Sequence, residues 1–168
     1  YNMNYKTIPE MFFSVVNQNP DKNILNYKDG KEWVPIKGSE LLALVSSISG
    51  GLLSLGLKKQ DKVAILSNTS YKWALCDYGI LCCGMTTVTV YPTLIEDVVN
   101  FIINDSSTRL IFVEDKTQFE KINKIFNNCE ELKTIVIMNN DNVADLHDHV
   151  LKYTDFINVG KSYIADNN

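Results

Sequence analysis

Four short apolar runs recur along this chain at near-constant spacing, and they restrict its architecture more than any other feature. They are Val63-Ala64-Ile65-Leu66, Thr86 to Val90, Leu110-Ile111-Phe112-Val113 and Ile135-Val136-Ile137-Met138, and they begin at roughly 23- to 25-residue intervals. That interval is the length of a βα unit. The runs are continuous rather than alternating, so each reads as a strand buried on both faces of a parallel sheet. Helical patterns fill the gaps. Tyr71 to Cys83 is apolar nearly all round, Leu94, Val98, Phe101 and Ile102 make one face, and Phe119, Ile122, Ile125 and Phe126 make another. Right-handed crossovers then predict an α/β fold: an open, doubly wound, mostly parallel sheet with helices on both faces.

The flanks carry different signals. Thr7-Ile8-Pro9-Glu10 fits a capping box ahead of Met11, Phe12, Val15 and Val16 at helical spacing. Ile24 to Ile36 reads as an N-terminal hairpin, with Asp29-Gly30 supplying its turn and Pro35 confining its strand to an edge or an end. Ser39 is placed to cap a second helix that Gly56 stops. Gly50-Gly51 inside it predicts close packing or a break, because each glycine costs about 1 kcal/mol relative to alanine. Thr93 with Glu96 and Asp115 with Gln118 read as two further capping boxes. After Asn139-Asn140-Asp141 the rhythm fades. Asp145 to Ile164 is expected to form one more helix with Leu146, Val150 and Leu151 inward.

Composition narrows the partners. With 168 residues, 45 % hydrophobic and 21 % charged, the chain has room for one core and is no disordered or coiled-coil sequence. The net charge is -4, and Arg109 is the single arginine, which disfavours nucleic acid. Cys76, Cys82, Cys83 and Cys129 make no CxxC pair, so reduced thiols in a cytosolic protein are expected rather than zinc or a redox pair. The stretch Trp73 to Thr93 contains one charge, Asp77, but Gly84 divides it into halves too short for the roughly 20 residues of a membrane span. His147 and His149 read as a solvated acidic turn rather than a metal site.

In an open α/β sheet, ligands dock beyond the carboxyl ends of the strands. Those ends are Ser67-Asn68-Thr69-Ser70, Tyr91-Pro92-Thr93, Glu114-Asp115 and Asn139-Asn140-Asp141. Asn68, Tyr91 and Thr93 are the candidate substrate-binding residues; against this, Ser70, Thr93 and Asp115 also read as plain helix caps. Trp73 and Tyr78 read as core aromatics, and Cys76 with Cys83 as core thiols. No G-x-G-x-x-G, G-x-x-x-x-G-K-[ST] or G-x-S-x-G occurs, so no phosphate-cradling loop, catalytic set or metal site is placed on this chain.

The run Ser67-Asn68-Thr69-Ser70-Tyr71-Lys72-Trp73, continuing through Gly79, Gly84 and Val90-Tyr91-Pro92-Thr93-Leu94, resembles the N-terminal part of AMP-forming acyl-CoA synthetases of the acyl-adenylating superfamily. The Tyr-Pro-Thr ending is similar to the long-chain fatty acid branch. Upstream, Asp29-Gly30, Trp33, Ser39-Glu40-Leu41, Gly56 and Asp61-Lys62-Val63-Ala64 stand in the family's order, and the likeness extends over about residues 7 to 138.

The resemblance implies a parent ligase. A fatty acid carboxylate attacks the α-phosphate of ATP to give acyl-AMP and pyrophosphate, with Mg2+, and the thiol of coenzyme A then displaces AMP. It also implies that the family's phosphate loop, acidic residues and C-terminal lysine lie downstream. Residues 1–140 are then expected to be an N-terminal α/β subdomain, and 141–168 a polar loop and helix leading into the remainder. Alone, the piece is expected to be inactive, to hold none of ATP, Mg2+ or coenzyme A, and to expose an apolar patch or self-associate. A cytoplasmic location, or one peripheral to a membrane, follows from the same likeness. The alternatives are a free-standing flavodoxin-like module that binds a small anion or nucleotide, and the N-terminal part of another adenylating enzyme.

Overall fold

The computed structural model describes residues 4–139 and 147–167. Helix α1 (Ile8–Gln18) leads into an antiparallel hairpin, β1 (Asn23–Asp29) and β2 (Glu32–Lys37), and then into α2 (Gly38–Ser54). The βα rhythm follows as β3 (Lys62–Leu66), α3 (Tyr71–Cys82), β4 (Thr86–Val90), α4 (Glu96–Asp105), β5 (Thr108–Val113), α5 (Lys116–Ile125) and β6 (Thr134–Ile137). Strand β7 (Val150–Lys152) and helix α6 (Tyr153–Asp166) complete it. The second sheet runs β4-β3-β5-β6-β7, and every pairing in it is parallel.

The apolar runs form the strands they predict, and alternation assigns their side chains to two cores. Val63, Ile65, Leu110, Phe112, Val136 and Met138 face α1, α2, α3 and α6. Ala64, Leu66, Ile111, Val113, Ile135 and Ile137 face α4 and α5. Both faces are covered, as a parallel sheet requires.

Local signals decide the helix ends. Thr7 caps α1, accepting the Glu10 N–H at 3.2 Å, while the Glu10 carboxylate accepts the Lys6 N–H at 2.8 Å. Ser70 caps α3 through the Trp73 N–H at 3.2 Å, and Asp115 caps α5 through the Gln118 N–H at 3.0 Å. Gly30 turns the hairpin at φ +58°, a left-handed conformation glycine adopts without strain. Gly50 and Gly51 mark close packing, not a break. A Cβ on Gly50 would run into the Gly160 carbonyl of α6, and Gly51 lies under the Phe156 ring.

Three expectations are corrected. Helix α2 begins at Gly38 with Lys37 as its cap residue, so Ser39 already lies inside and caps nothing. Helix α4 begins at Glu96 with Ile95 before it, because the Tyr91 carbonyl draws the Leu94 N–H into a turn at 3.2 Å and delays the helix past Thr93. The single helix over Asp145–Ile164 is not formed. Val150-Leu151-Lys152 instead adds a fifth strand, pairing Ile135 with Val150 and Ile137 with Lys152, and the helix begins only at Tyr153. Asp145 and Leu146 lie outside the described residues. His149 just before β7 hands its carbonyl to the Ile135 N–H at 2.9 Å, so it belongs to the sheet edge, and its ring stacks on Phe126 at 3.9 Å.

Candidate functional site

The sheet order has a topological switch point. The chain leaves β3 for β4 on one side and then crosses back to β5 on the other, so the loops after β3 and β5 part in opposite directions. A doubly wound sheet presents its ligand crevice there. In this molecule the crevice is bridged. Glu114, just beyond β5, accepts two hydrogen bonds at one carboxylate oxygen from Asn68, just beyond β3: the backbone N–H at 2.9 Å and Nδ2 at 2.8 Å. The Glu114 N–H in turn donates to the Leu66 carbonyl at 3.0 Å.

That bridge decides what the switch point can do. An incoming phosphate needs free N–H donors at a helix N-terminus. Here the Asn68 donors already serve a carboxylate, and the Ser70 hydroxyl holds the Trp73 N–H. A second anion would also meet the Glu114 charge. Asn68 and Ser70 are thus already engaged in holding the loop.

The open cavity lies beside it, toward β4. It has a volume of about 350 Å³ between the ends of β3 and β4. Ser67, Asn68 and Thr69 form one wall, Thr89, Tyr91 and Pro92 the other, and Trp73 the back. Asn68 and Tyr91 thus come together in one cleft. Thr93 does not line it; it sits exposed in the turn before α4. Trp73 is both half-buried against the core and part of the wall, while Tyr78 packs inward on Phe12 with ring centroids 4.8 Å apart. A wider groove of about 500 Å³ lies along Leu94 to Asp97, but its lysine, Lys121, is tied to the Pro92 and Leu94 carbonyls at 2.7 and 2.8 Å.

The cleft offers hydroxyls, one amide and two aromatic rings, those of Trp73 and Tyr91. It can hold or shape a ligand, but it contains no nucleophile paired with a base. The thiols supply none. Burial pushes the Cys76 thiol far above its ordinary range and Cys82 up to about 11, and it raises Cys83 and Cys129 as well. Among the described residues no cluster of three His, Cys, Asp or Glu side chains could hold a metal. The cleft's hydroxyls, amide and aromatic rings offer no set of carboxylates for Mg2+ among the described residues.

Two supports escaped the sequence reading. Lys72, in the first turn of α3, donates Nζ to the Met138 carbonyl at 2.7 Å and to Asn139 Oδ1 at 2.9 Å, tying α3 to the end of β6. A lone cation opening an otherwise apolar helix was its only signal. The Glu114 bridge had a weaker one, a carboxylate at a strand end. Among the described residues no helix is long and apolar enough to cross a membrane.

The AMP-binding enzyme family matches residues 12–155. The human long-chain-fatty-acid–CoA ligase ACSBG1 is 30 % identical over 131 residues, which is 78 % of this chain and 18 % of that protein. FadD15 of Mycobacterium bovis, also a long-chain-fatty-acid–CoA ligase, is 26 % identical over 132 residues, 79 % of this chain and 22 % of its own length. The crystal structure of the anthranilate CoA ligase AuaEII with anthranoyl-AMP superposes with a TM-score of 0.78 at 18 % identity, over 92 % of this chain and 28 % of that one. The chain spans about a fifth of the length of the curated relatives it matches.

Proposed function

Because the chain belongs to the AMP-binding enzyme family, we propose that it forms the N-terminal scaffold of a ligase that activates a long-chain fatty acid with ATP and transfers it to coenzyme A. The observation that carries this reading is the bridged switch point: Glu114 occupies the donors that a self-sufficient nucleotide module needs for its ligand. The fatty acyl substrate is taken from the names of the two long-chain ligases. In this reading the α/β subdomain extends past residue 140 through α6, because β7 joins its sheet and Phe156 its core, and the rest of the ligase follows that helix.

The chain's own contribution is to position. Asn68 and Tyr91 line a cleft whose aromatic and hydroxyl walls suit a neutral or apolar portion of substrate better than a phosphate. Stabilising the charge at a transferring phosphorus takes preorganised donors or metal ions aimed at it, and those belong to other parts of the enzyme. ATP, Mg2+ and coenzyme A are accordingly ligands of the complete ligase.

The deciding experiment is ATP–pyrophosphate exchange by the 168-residue chain with palmitate and Mg2+. No exchange above a blank is expected, and measurable exchange refutes the scaffold reading. Calorimetry with ATP, AMP and flavin is the companion. Tight binding of any of them by this chain would favour the flavodoxin-like module. Sequencing past Asn168 tests the ligase itself, through a glycine- and hydroxyl-rich loop ending in lysine.

A further inference from the structure

A second pocket shares no lining residue with the cleft at the strand ends. It measures about 210 Å³, and four elements build it through their own periodicities. The hairpin pairs Tyr27 with Val34 and, two residues along, Leu25 with Ile36; residues so paired project from one side of the ribbon. Tyr27, Val34 and Ile36 therefore make one wall. Helix α2 supplies Glu40 and Leu44, and α3 supplies Tyr71 and Leu75, because residues four apart share a helix face. Tyr153, the first residue of α6, completes the lining.

This lining has a dry end and a charged end. Ile36 and Leu75 are 3 and 1 % exposed and make an apolar floor. Tyr27 and Tyr71 are half-buried and stack on each other, with ring centroids 3.9 Å apart and planes 19° apart. Burial raises Tyr71 above the ordinary phenol range and raises Tyr153 as well, so both hydroxyls stay neutral. Glu40 is the exposed member of the lining and its single formal charge. None of the ion pairs among the described residues uses it. The Asp29 carboxylate adds to the negative field, since its charge reaches Tyr71 from the end of β1. Lys72 lies over the Tyr153 ring at 5.4 Å, but its Nζ is held by the Met138 carbonyl and Asn139, and it does not line the pocket.

We propose that this pocket binds a small aromatic amine in its protonated form, with the ring inward and the ammonium at the mouth beside Glu40. Volume sets the size. A cavity of roughly 150 Å³ takes one benzene ring, so 210 Å³ takes such a ring with a short aminoalkyl arm. The stacked tyrosines set the shape, because a flat aromatic wall suits a planar ring. Charge sets the sign and the orientation. An anion of the same size would face Glu40 and Asp29, whereas a cation seated deeper would meet Lys72 at Tyr153. The proposal does not depend on the ligase reading.

The test is calorimetric titration of the purified chain, near neutral pH, with phenethylamine, 2-phenylethanol and phenylacetate. The three share the ring and differ in the charge of the arm. The amine should bind about threefold more tightly than the alcohol, the scale of one exposed ion pair, and phenylacetate more weakly than either. Glu40→Gln should bring the amine down to the level of the alcohol and leave the alcohol unchanged. Leu44→Trp narrows the pocket and should abolish binding of both. Circular dichroism reports whether each variant folds; if Leu44→Trp does not, Glu40→Gln, at an exposed position, carries the test. Nuclear magnetic resonance shifts on adding the amine should centre on Tyr27 and Tyr71. Shifts centred on Trp73 would assign the ligand to the strand-end cleft and overturn the proposal. So would phenylacetate binding as tightly as the amine, an amine affinity that Glu40→Gln leaves unchanged, or no saturable binding of the amine.

Discussion

Where α2 meets α6, backbone lies against backbone; where β3 and β5 end, loops are held by hydrogen bonds with little packing around them. Gly50, Gly51 and Gly160 have no side chains because there is no room for any, and the Phe156 ring stands edge-on to Phe112 with centroids 5.3 Å apart. At the strand ends the contacts are Asn68 to Glu114, Ser70 to Trp73 and Lys72 to Met138, all partly open to water. The first region is specified by volume and resists every enlargement. The second is specified by donors and acceptors and tolerates change in shape. A scaffold that carries a binding cleft needs both, rigidity beneath and adjustable polar groups above.

The sharpest way to break this contrast is to empty the packed region. Phe156→Ala removes a fully buried ring and should cost about 3–5 kcal/mol, read as the free energy of urea unfolding. Adding volume should come next. A Cβ on Gly160 meets the Ser47 carbonyl and the Gly51 nitrogen, which are backbone and cannot swing aside. Gly160→Ala should therefore cost about 1–3 kcal/mol, even though alanine is the better helix former. A neutral or stabilising result would mean that the two helices are free to move apart.

At the strand ends the effects should be smaller and residue-specific. Ser70→Ala removes a cap that is in place and should cost about 1 kcal/mol. Thr93→Ala removes a hydroxyl that caps nothing, so the same measurement should show no loss. Equal losses at both positions would restore the capping box that the sequence suggested at Thr93.

Much of this division is legible in the sequence. The strands are, because burial on both faces leaves continuous apolar runs that no other element produces at that length. The glycine pair was legible as close packing or a break, but not its partner, since Gly160 lies more than a hundred residues away and contact across that distance leaves no local trace. Strand β7 leaves no signal in the sequence, because three residues are too few to show a period and Val150 and Leu151 suit a helix face equally well. The rule about strand ends singles out Asn68 and Tyr91, and both line the cleft beyond β3 and β4. Thr93 was misplaced because a capping box is a pattern of two residues, and a turn closing on the Tyr91 carbonyl overrides it. The Asn68–Glu114 bridge depends on strand order, which the spacing of the runs does not contain.

The smallest effect concerns pH at the boundary between the two regions. His149 lies flat on Phe126, with the His147 ring 5.4 Å away on its far side. Loss of hydration lowers its pKa first; the nearby His147 charge lowers it further, and Asp148 opposes both. In the unfolded chain the imidazole takes up its proton near pH 6.5. In the folded chain it resists until a lower pH. Between those two points the unfolded state holds more protons, so stability must fall as pH falls through that window, and the slope ends once the folded imidazole is also protonated. His149→Phe keeps the stack on Phe126 and removes the titration. Unfolding measured from pH 7.5 to pH 5 should therefore lose part of its slope in the variant. An unchanged slope would show that the stacked ring is as well hydrated as a free histidine, and the edge at β7 would then belong with the adjustable strand ends rather than with the packed core.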